Sequence, residues 1–287
     1  MTDLILQFAE YLRGANRVLF ITGAGISADS GLPTYRGVGG LYNDKLTTEG
    51  FPIEQCLSAS MFSRSPEITW KYMLPIAESV FQHEPNNAHR IIANLETQFD
   101  KRGGKVVVFT QNIDGYHKQA GSKNVLEIHG SLRKLFCTNN NCNWIELLEK
   151  SNETQNQENN TNLIKRINQI KEKLPPCCPV CGSLVRPDIV LFEESLPYDV
   201  LVQFDNEFNN GAGFDLVVAV GTSAMFPYIT TPIYQSIKLG KKTVEINPTE
   251  STLSKVVDLY IPQTAAKTFL ELENVQEYAE AVLKSGN

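Results

Sequence analysis

Five short, nearly unbroken apolar runs punctuate the chain, at residues 18–22, 105–110, 125–129, 215–221 and 243–247. Strands have this character when both faces of their sheet are covered. Between and beside them, residues 86–99, 229–239 and 265–284 place apolar side chains at helical spacing. The N-terminal segment does the same: Leu4, Ile5, Phe8 and Leu12 share one helical face, and Gly14 stands where a C-cap glycine belongs. Strand and helix in alternation predict an α/β fold with a doubly wound, parallel, Rossmann-like sheet.

Two stretches break that rhythm. Residues 38–80 predict loop and short helices. Residues 137–185 hold five of the six cysteines, together with the tract SNETQNQENNTN, whose polar, Asn-rich composition offers too little apolar surface to pack. The tract predicts an exposed, mobile insertion inside a small module.

With 287 residues, 42% of them hydrophobic, the chain can bury one large core, or one core with a smaller inserted domain. A net charge of −6 without a basic stripe speaks against nucleic-acid binding, sequence-specific or general, and is compatible with a basic protein substrate. The opening MTDLILQFAEYLRGANR has no continuous apolar core of signal-peptide length, and no stretch reaches the roughly 18 apolar residues of a membrane span. The expectation is a cytoplasmic protein without a membrane partner. In that compartment cysteines are thiols or metal ligands rather than disulfides.

The first apolar run leads into FITGAGISADSGLPTYRG, residues 20–37, where Gly23-x-Gly25-x-x-Ala28 follows a strand as in a dinucleotide-binding turn. The usual continuation is a second strand ending about 20 residues on in an acid that holds the ribose. It is missing: from Leu32 to Gly50 there is no apolar run, the apolar residues standing singly among Pro33, Tyr35, Arg36, four glycines and small polar residues.

Ligands of open parallel sheets bind beyond the carboxyl ends of the strands. Those ends read Gly23-Ala24-Gly25-Ile26-Ser27, Gln111-Asn112-Ile113-Asp114, His129-Gly130-Ser131, Gly221-Thr222-Ser223 and Asn247-Pro248. Small residues let backbone N–H groups approach phosphates, while amides, hydroxyls and a carboxylate suit a ribose and a carboxamide. At one strand end these are ordinary turn residues; at five together they point to a ligand. His129 follows its strand directly and precedes a glycine, so its ring is open to the site and could accept a proton near neutrality. His83 and His89, in or before a helix, read as structural, and His117 lies past the second turn.

Cys178-Pro179-Val180-Cys181-Gly182 is a turn that points two thiolates at one metal, and Cys137 and Cys142 supply a second pair at a spacing within the zinc range. Four thiolates leave no position for water, so one zinc ion there is structural. Cys177 is an ambiguous neighbour, and Cys56 reads as core.

Taken in order, GAGIS, ADSGLPTYRG, TQNID, HG, the paired cysteines, GTS and INP resemble the sirtuins, NAD-dependent protein-lysine deacylases, in a bacterial-type member. The resemblance spans almost the whole chain. It implies an NAD-binding Rossmann-like domain over 1–36, 81–135 and 186–287, and a small domain made of a helical insertion, 37–80, and a zinc module, 136–185. It also accounts for the missing strand, because in sirtuins the segment after GAGIS is a loop that folds over NAD. Gly23, Ala24, Gly25, Ser27, Tyr35 and Arg36 are then expected to hold the phosphates and the nicotinamide-side ribose, and Gln111 to contact that ribose. Asn112 and Asp114 are expected in the nicotinamide pocket, Asn112 also with a catalytic part. Gly221, Thr222, Ser223 and Asn247 are expected along the adenosine half, with Ala265 near adenine, and Val190 and Phe192 against the acyl-lysine substrate. The acyl oxygen would attack the ribose C1′ as nicotinamide leaves, and His129 would act as general base on the ribose hydroxyls, giving O-acyl-ADP-ribose.

Three positions depart from the family pattern: Thr34 where many sirtuins have Asp, Glu193 for the glycine of an F-G-E segment, and Phe226 where a small aliphatic residue is usual after GTS. Succinyl- or malonyl-preferring sirtuins carry a Tyr-x-x-Arg pair in the helical insertion. Met73 and Ile76 stand at those positions here, which implies a preference for uncharged acyl groups. The same NAD site also suits an NAD hydrolase, an ADP-ribosyltransferase or a non-catalytic NAD-sensing module.

Overall fold

The computed structural model describes residues 2–34, 46–148, 158–209 and 213–285. Six strands form one parallel sheet in the order β3-β2-β1-β7-β8-β9. They are β1 (Arg17–Thr22), β2 (Lys105–Thr110), β3 (Val125–Glu127), β7 (Leu216–Val220), β8 (Lys242–Ile246) and β9 (Leu259–Ile261). Because side chains alternate along a strand, β1 sends Val18 and Phe20 to one core and Leu19 and Ile21 to another. The first core is closed by helices α1 (Thr2–Gly14), α6 (Asn87–Lys101) and α11 (Ala265–Ser285), the second by α9 (Tyr198–Asn209) and α10 (Pro227–Lys238).

All five apolar runs are strands, with bounds shifted by a residue or two. The third is shorter than its run: it ends at Glu127, and the chain turns at His129 into β4 (Gly130–Cys137), which belongs to another sheet. β9 has only three residues, Leu259-Tyr260-Ile261, too few to announce a period.

β4 pairs antiparallel with β5 (Ile145–Leu147) and β6 (Val185–Ile189). Around this small sheet lie α3 (Ile53–Cys56), α4 (Ala59–Arg64), α5 (Pro66–Gln82) and α8 (Glu158–Glu172), sharing a third core that includes Trp70, Met73, Leu135, Ile167 and Ile170. Short helices α2 (Gly25–Ala28) and α7 (Tyr116–Gln119) follow β1 and the turn after β2. Two expectations change here. Residues 66–82 form one long helix rather than short ones. Pro75 lies inside it, yet Trp70, Met73, Leu74, Ala77 and Phe81 recur every three or four residues and bury one face. Residues 151–157 of the Asn-rich tract lie outside the described residues, and its end, from Glu158, begins α8, which buries Ile167 and Ile170 against the third core.

In register, Thr22 faces Thr110 on one side and Val220 on the other, and Val220 faces Ile246, so the carboxyl ends of the strands form a level row. The strand order reverses between β1 and β7, and a crevice opens at such a switch point. Here the two loops close on each other: Gly23 N donates to Val220 O at 3.0 Å and Gly25 N to Gly221 O at 2.8 Å. Gly221 has φ +57°, and a Cβ there would lie 2.4 Å from the backbone N of Ile26. Gly221→Ala is therefore expected to cost about 2–4 kcal/mol by adding left-handed strain to a backbone clash. Urea unfolding measures this, and a loss under about 0.5 kcal/mol, the usual scale for a surface change, would contradict the contact.

Candidate functional site

A cavity of about 340 Å³ opens at the level row of strand ends. Gly23, Ala24, Gln111, Asn112, Gly221, Thr222 and Ser223 form its sheet side, His129 its floor, and Met73, Ile76, Val190 and Phe192 its opposite wall. A second cavity of about 220 Å³ shares Ala24, Ile76, Asn112 and Ile113 with the first and adds Ser27 and Asp114. Of the remaining residues singled out from sequence, Gly25 packs under Gly221, where its Cβ would meet Gly221 Cα at 2.6 Å. Asn247 braces the turn from outside, its Nδ2 donating to Thr222 O at 3.0 Å. Ala265 is buried at the start of α11, beside the Ala266 N–H that donates to Asp29 Oδ2. Tyr35 and Arg36 lie outside the described residues.

His129 is held by its backbone neighbours. Its Nδ1 lies 2.9 Å from Gln111 O, which can only accept, so Nδ1 carries the hydrogen and Nε2 carries the lone pair. Burial pushes its pKa below the usual histidine range, so the ring is neutral at neutral pH and able to take a proton. Gly130 makes the turn after it with φ +75°, and Val190 N donates to His129 O at 2.9 Å, which ties the opposite wall to His129. Nε2 lies 2.8 Å from Tyr228 Oη. Sequence periodicity did not single out Tyr228; the signal available was an aromatic residue just past Phe226-Pro227, in the first turn of the helix that follows β7.

The second cavity is polar at one end. Ser27 Oγ donates to Asp114 Oδ2 at 2.8 Å, Tyr116 N donates to Oδ1 at 2.9 Å, and Asn112 Nδ2 donates to Gly23 O and Ser27 Oγ. Burial raises the Asp114 pKa, against the pull of these bonds and of Arg133. His89 and His117 are buried behind this cluster, and desolvation lowers both, His117 to about 3. Neither borders either of these cavities: His89 completes the capping box of α6, and His117 binds Thr22 Oγ1.

Of the three departures, Glu193 sits at φ 73°, and its carboxylate accepts from Ser60 N at 3.1 Å, linking the loop after β6 to α4. Phe226 stacks on Tyr228 at 5.3 Å and 10°. Thr34, the last described residue before 46, borders neither cavity.

The four cysteines of the two pairs converge, their sulfurs all within 4.8 Å of one another. Cys137 Sγ lies 3.4 Å from Cys181 Sγ, and Cys142 Sγ lies 3.7 Å from Cys178 Sγ. Tetrahedral Zn–S bonds of about 2.3 Å need sulfurs about 3.8 Å apart, so the set fits one zinc ion. Cys177 is exposed and outside the cluster, and Cys56 is buried.

Residues 23–227 match the Sir2 family. The chain is 42% identical over 270 residues to NAD-dependent protein deacylase 2 of Pseudomonas syringae pv. tomato, covering 93% of this chain and 98% of that one. It is 32% identical over 259 residues to NAD-dependent protein deacylase of Pyrococcus abyssi, covering 90% and 92%. Among solved structures, a Sir2 homologue in complex with NAD superposes with a TM-score of 0.74 at 30% identity, covering 95% of this chain and 94% of that one. A complex of Sir2, a p53 peptide and NAD+ superposes with a TM-score of 0.74 at 25% identity, covering 95% and 98%.

Both tryptophans, Trp70 and Trp144, lie in or against the third core, so their emission reports on the small sheet and its helices alone. Elemental analysis is expected to find one zinc per chain. The double variant Cys137→Ser, Cys142→Ser should lose that zinc and shift tryptophan emission to the red, because metal binding and local folding are coupled. Native emission from a zinc-free variant would contradict a structural metal.

Proposed function

The chain belongs to the Sir2 family, and from that premise we propose that it removes acyl groups from protein lysines at the expense of NAD, releasing nicotinamide and O-acyl-ADP-ribose. The observation that carries this is the position of His129: a neutral imidazole with its lone pair on Nε2, set where the sheet-end turns meet an apolar wall. When bound, NAD supplies the ribose whose bond to nicotinamide breaks, and it is consumed rather than recycled.

The residues present fit that cofactor. Gly23, Gly25 and Gly221 bring two loops into backbone contact at the switch point, which leaves the mouth of the crevice free of side chains for phosphates. Asn112 and Asp114 close the second cavity with an amide and a buried carboxyl, a matched set for a carboxamide. Gln111 is fixed by Nε2 donating to Thr222 Oγ1 at 2.9 Å, and its carbonyl orients the base. Ser223 and Asn247 serve the adenosine side, with Ala265 behind them. Tyr35 and Arg36, outside the described residues, are assigned to the phosphates and the nicotinamide-side ribose. Val190 and Phe192 line the path of the acyl-lysine, whose carbonyl is the nucleophile. Its partner is an acylated protein or peptide, and the enzyme works in the cytoplasm. None of the described helices is long and apolar enough to cross a membrane.

Met73 and Ile76 face the first cavity with Leu57, Ile189 and Leu196, and offer no charge to an acyl carboxylate. Lys71 and Tyr72, the nearest polar residues of α5, are both bonded to Glu49. A carboxylate entering this pocket is desolvated without a partner.

Three outcomes are expected. Nicotinamide release from NAD should depend on an acetylated peptide; release without peptide would indicate NAD hydrolysis, and none at all would overturn enzymatic activity. His129→Ala should lower kcat by about 10²–10⁴ while NAD affinity changes only a few-fold, because a base acts in the transition state. On one peptide, kcat/KM for acetyl-lysine should exceed that for succinyl-lysine by at least about 100-fold. Succinyl as the better substrate would contradict the apolar lining.

A further inference from the structure

The contact between His129 Nε2 and the Tyr228 hydroxyl involves the proton-accepting atom of the base itself, and no step of the proposed reaction uses it. The carbonyl of Gln111 holds the only ring hydrogen at Nδ1, so in this pair the tyrosine must donate and Nε2 must accept, at 2.8 Å. Two features fix the tyrosine in place. It sits in the first turn of α10, between Pro227 at the helix start and the fully buried Ile229. Its ring lies flat against Phe226 and meets the His129 ring edge-on, at 6.0 Å and 82°. Both His129 and Tyr228 border the large cavity, beside Gln111 and Thr222.

We propose that Tyr228 is a positioning residue for the base, its hydroxyl capping Nε2 of His129 until a ribose hydroxyl displaces it. This rests on the reading of His129 as the base. The exchange is balanced. The Tyr228 O–H···N hydrogen bond is replaced by a ribose O–H···N hydrogen bond; the ribose O–H bond then breaks as the N–H bond of an imidazolium forms, and the electron pair stays on the ribose oxygen. Tyr228 keeps its own proton throughout, since burial pushes its hydroxyl to about 12. The cap favours the neutral ring, because a donor on the lone pair competes with protonation. It therefore keeps the base unprotonated at pH values where a free imidazole would be partly charged.

The other ionisable groups near the base are already committed. Glu127, two residues upstream, pairs with Lys118. Asp188, beside the residue that pairs with Gly130, is bound by Lys134, and Glu194 by Arg186. Glu193 accepts from the Ser60 backbone, and Asp114 is enclosed by Ser27 and Tyr116. Tyr228 is left as the group from α10 that acts on Nε2 directly.

The test is the acid limb of the pH profile of kcat/KM for peptide-dependent nicotinamide release, in the unaltered enzyme and in Tyr228→Phe. The phenylalanine keeps the stack on Phe226 and removes only the donor. A base must be neutral, so activity falls as pH drops through its pKa; loss of the cap raises that pKa and moves the limb upward by about 0.5–1 pH unit. The His129 ring, followed by NMR and assigned by its absence in His129→Asn, should titrate higher by the same amount. Coincident limbs and titrations in the two proteins would overturn the proposal while leaving the deacylase reading intact. Absence of peptide-dependent release from the unaltered enzyme would instead overturn that reading. Should the variant be unstable, imidazole nitrogen shifts of the unaltered protein still decide: hydrogen on Nδ1 with a hydrogen-bonded Nε2 supports the cap, and the reverse tautomer overturns it.

Discussion

The site depends on the near-contact of two backbone turns. At the switch point of the sheet, the loop after β1 and the loop after β7 approach until Gly25 N meets Gly221 O at 2.8 Å, with no room at Gly23, Gly25 or Gly221 for a side chain. Parallel strands and their level register bring the two loops to the same height, and glycine lets them touch. The polar groups of both cavities are referenced to this junction. Asn112 bonds to Gly23 O, Gln111 to Thr222, Asn247 to Thr222 O, and Ser27 begins the chain that ends at Asp114. A ligand in the crevice therefore meets donors and acceptors already fixed in place, and little ordering is left to do on binding.

The opposite wall is built differently. It comes from a separate core, with its own small sheet and helices, and meets the strand-end turns through backbone bonds such as Val190 N to His129 O and Leu132 N to Ile113 O. The polar chemistry belongs to the first structure and the apolar selectivity to the second. On the proposed reading, changes to Met73 alter which acyl group fits without touching the groups that hold the cofactor, whereas Ile76 borders both cavities.

What was legible in the sequence follows from this division. Five of the six strands of the parallel sheet appeared as apolar runs because that sheet is covered on both faces; the residues at the ends of four of them border the crevice, while Asn247, after the fifth, braces it from outside. β4 to β6 are half exposed and mixed in composition, and β9 is too short for any period, so none of them stood out. Helix α5 was hidden by Pro75, although its buried face keeps helical spacing. The cysteine cluster was readable because metal geometry constrains spacing directly. Tyr228 was not, because its importance comes from meeting His129 across 99 residues of chain, a tertiary fact with no local pattern.

β4 has a property that neither of its ends shows alone. Its eight residues run from Gly130, next to His129, to Cys137 in the sulfur cluster, yet they face only the five of β6, because the register slips between Ser131 and Leu135. It acts as a tether to a metal anchor, and the slack in that tether is gathered at one place. Outside the slip, one residue inserted or deleted would turn every following side chain to the opposite face. In the descent of this protein, changes in the length of β4 should therefore fall between Ser131 and Leu135, while its two ends vary in spelling but not in letter count.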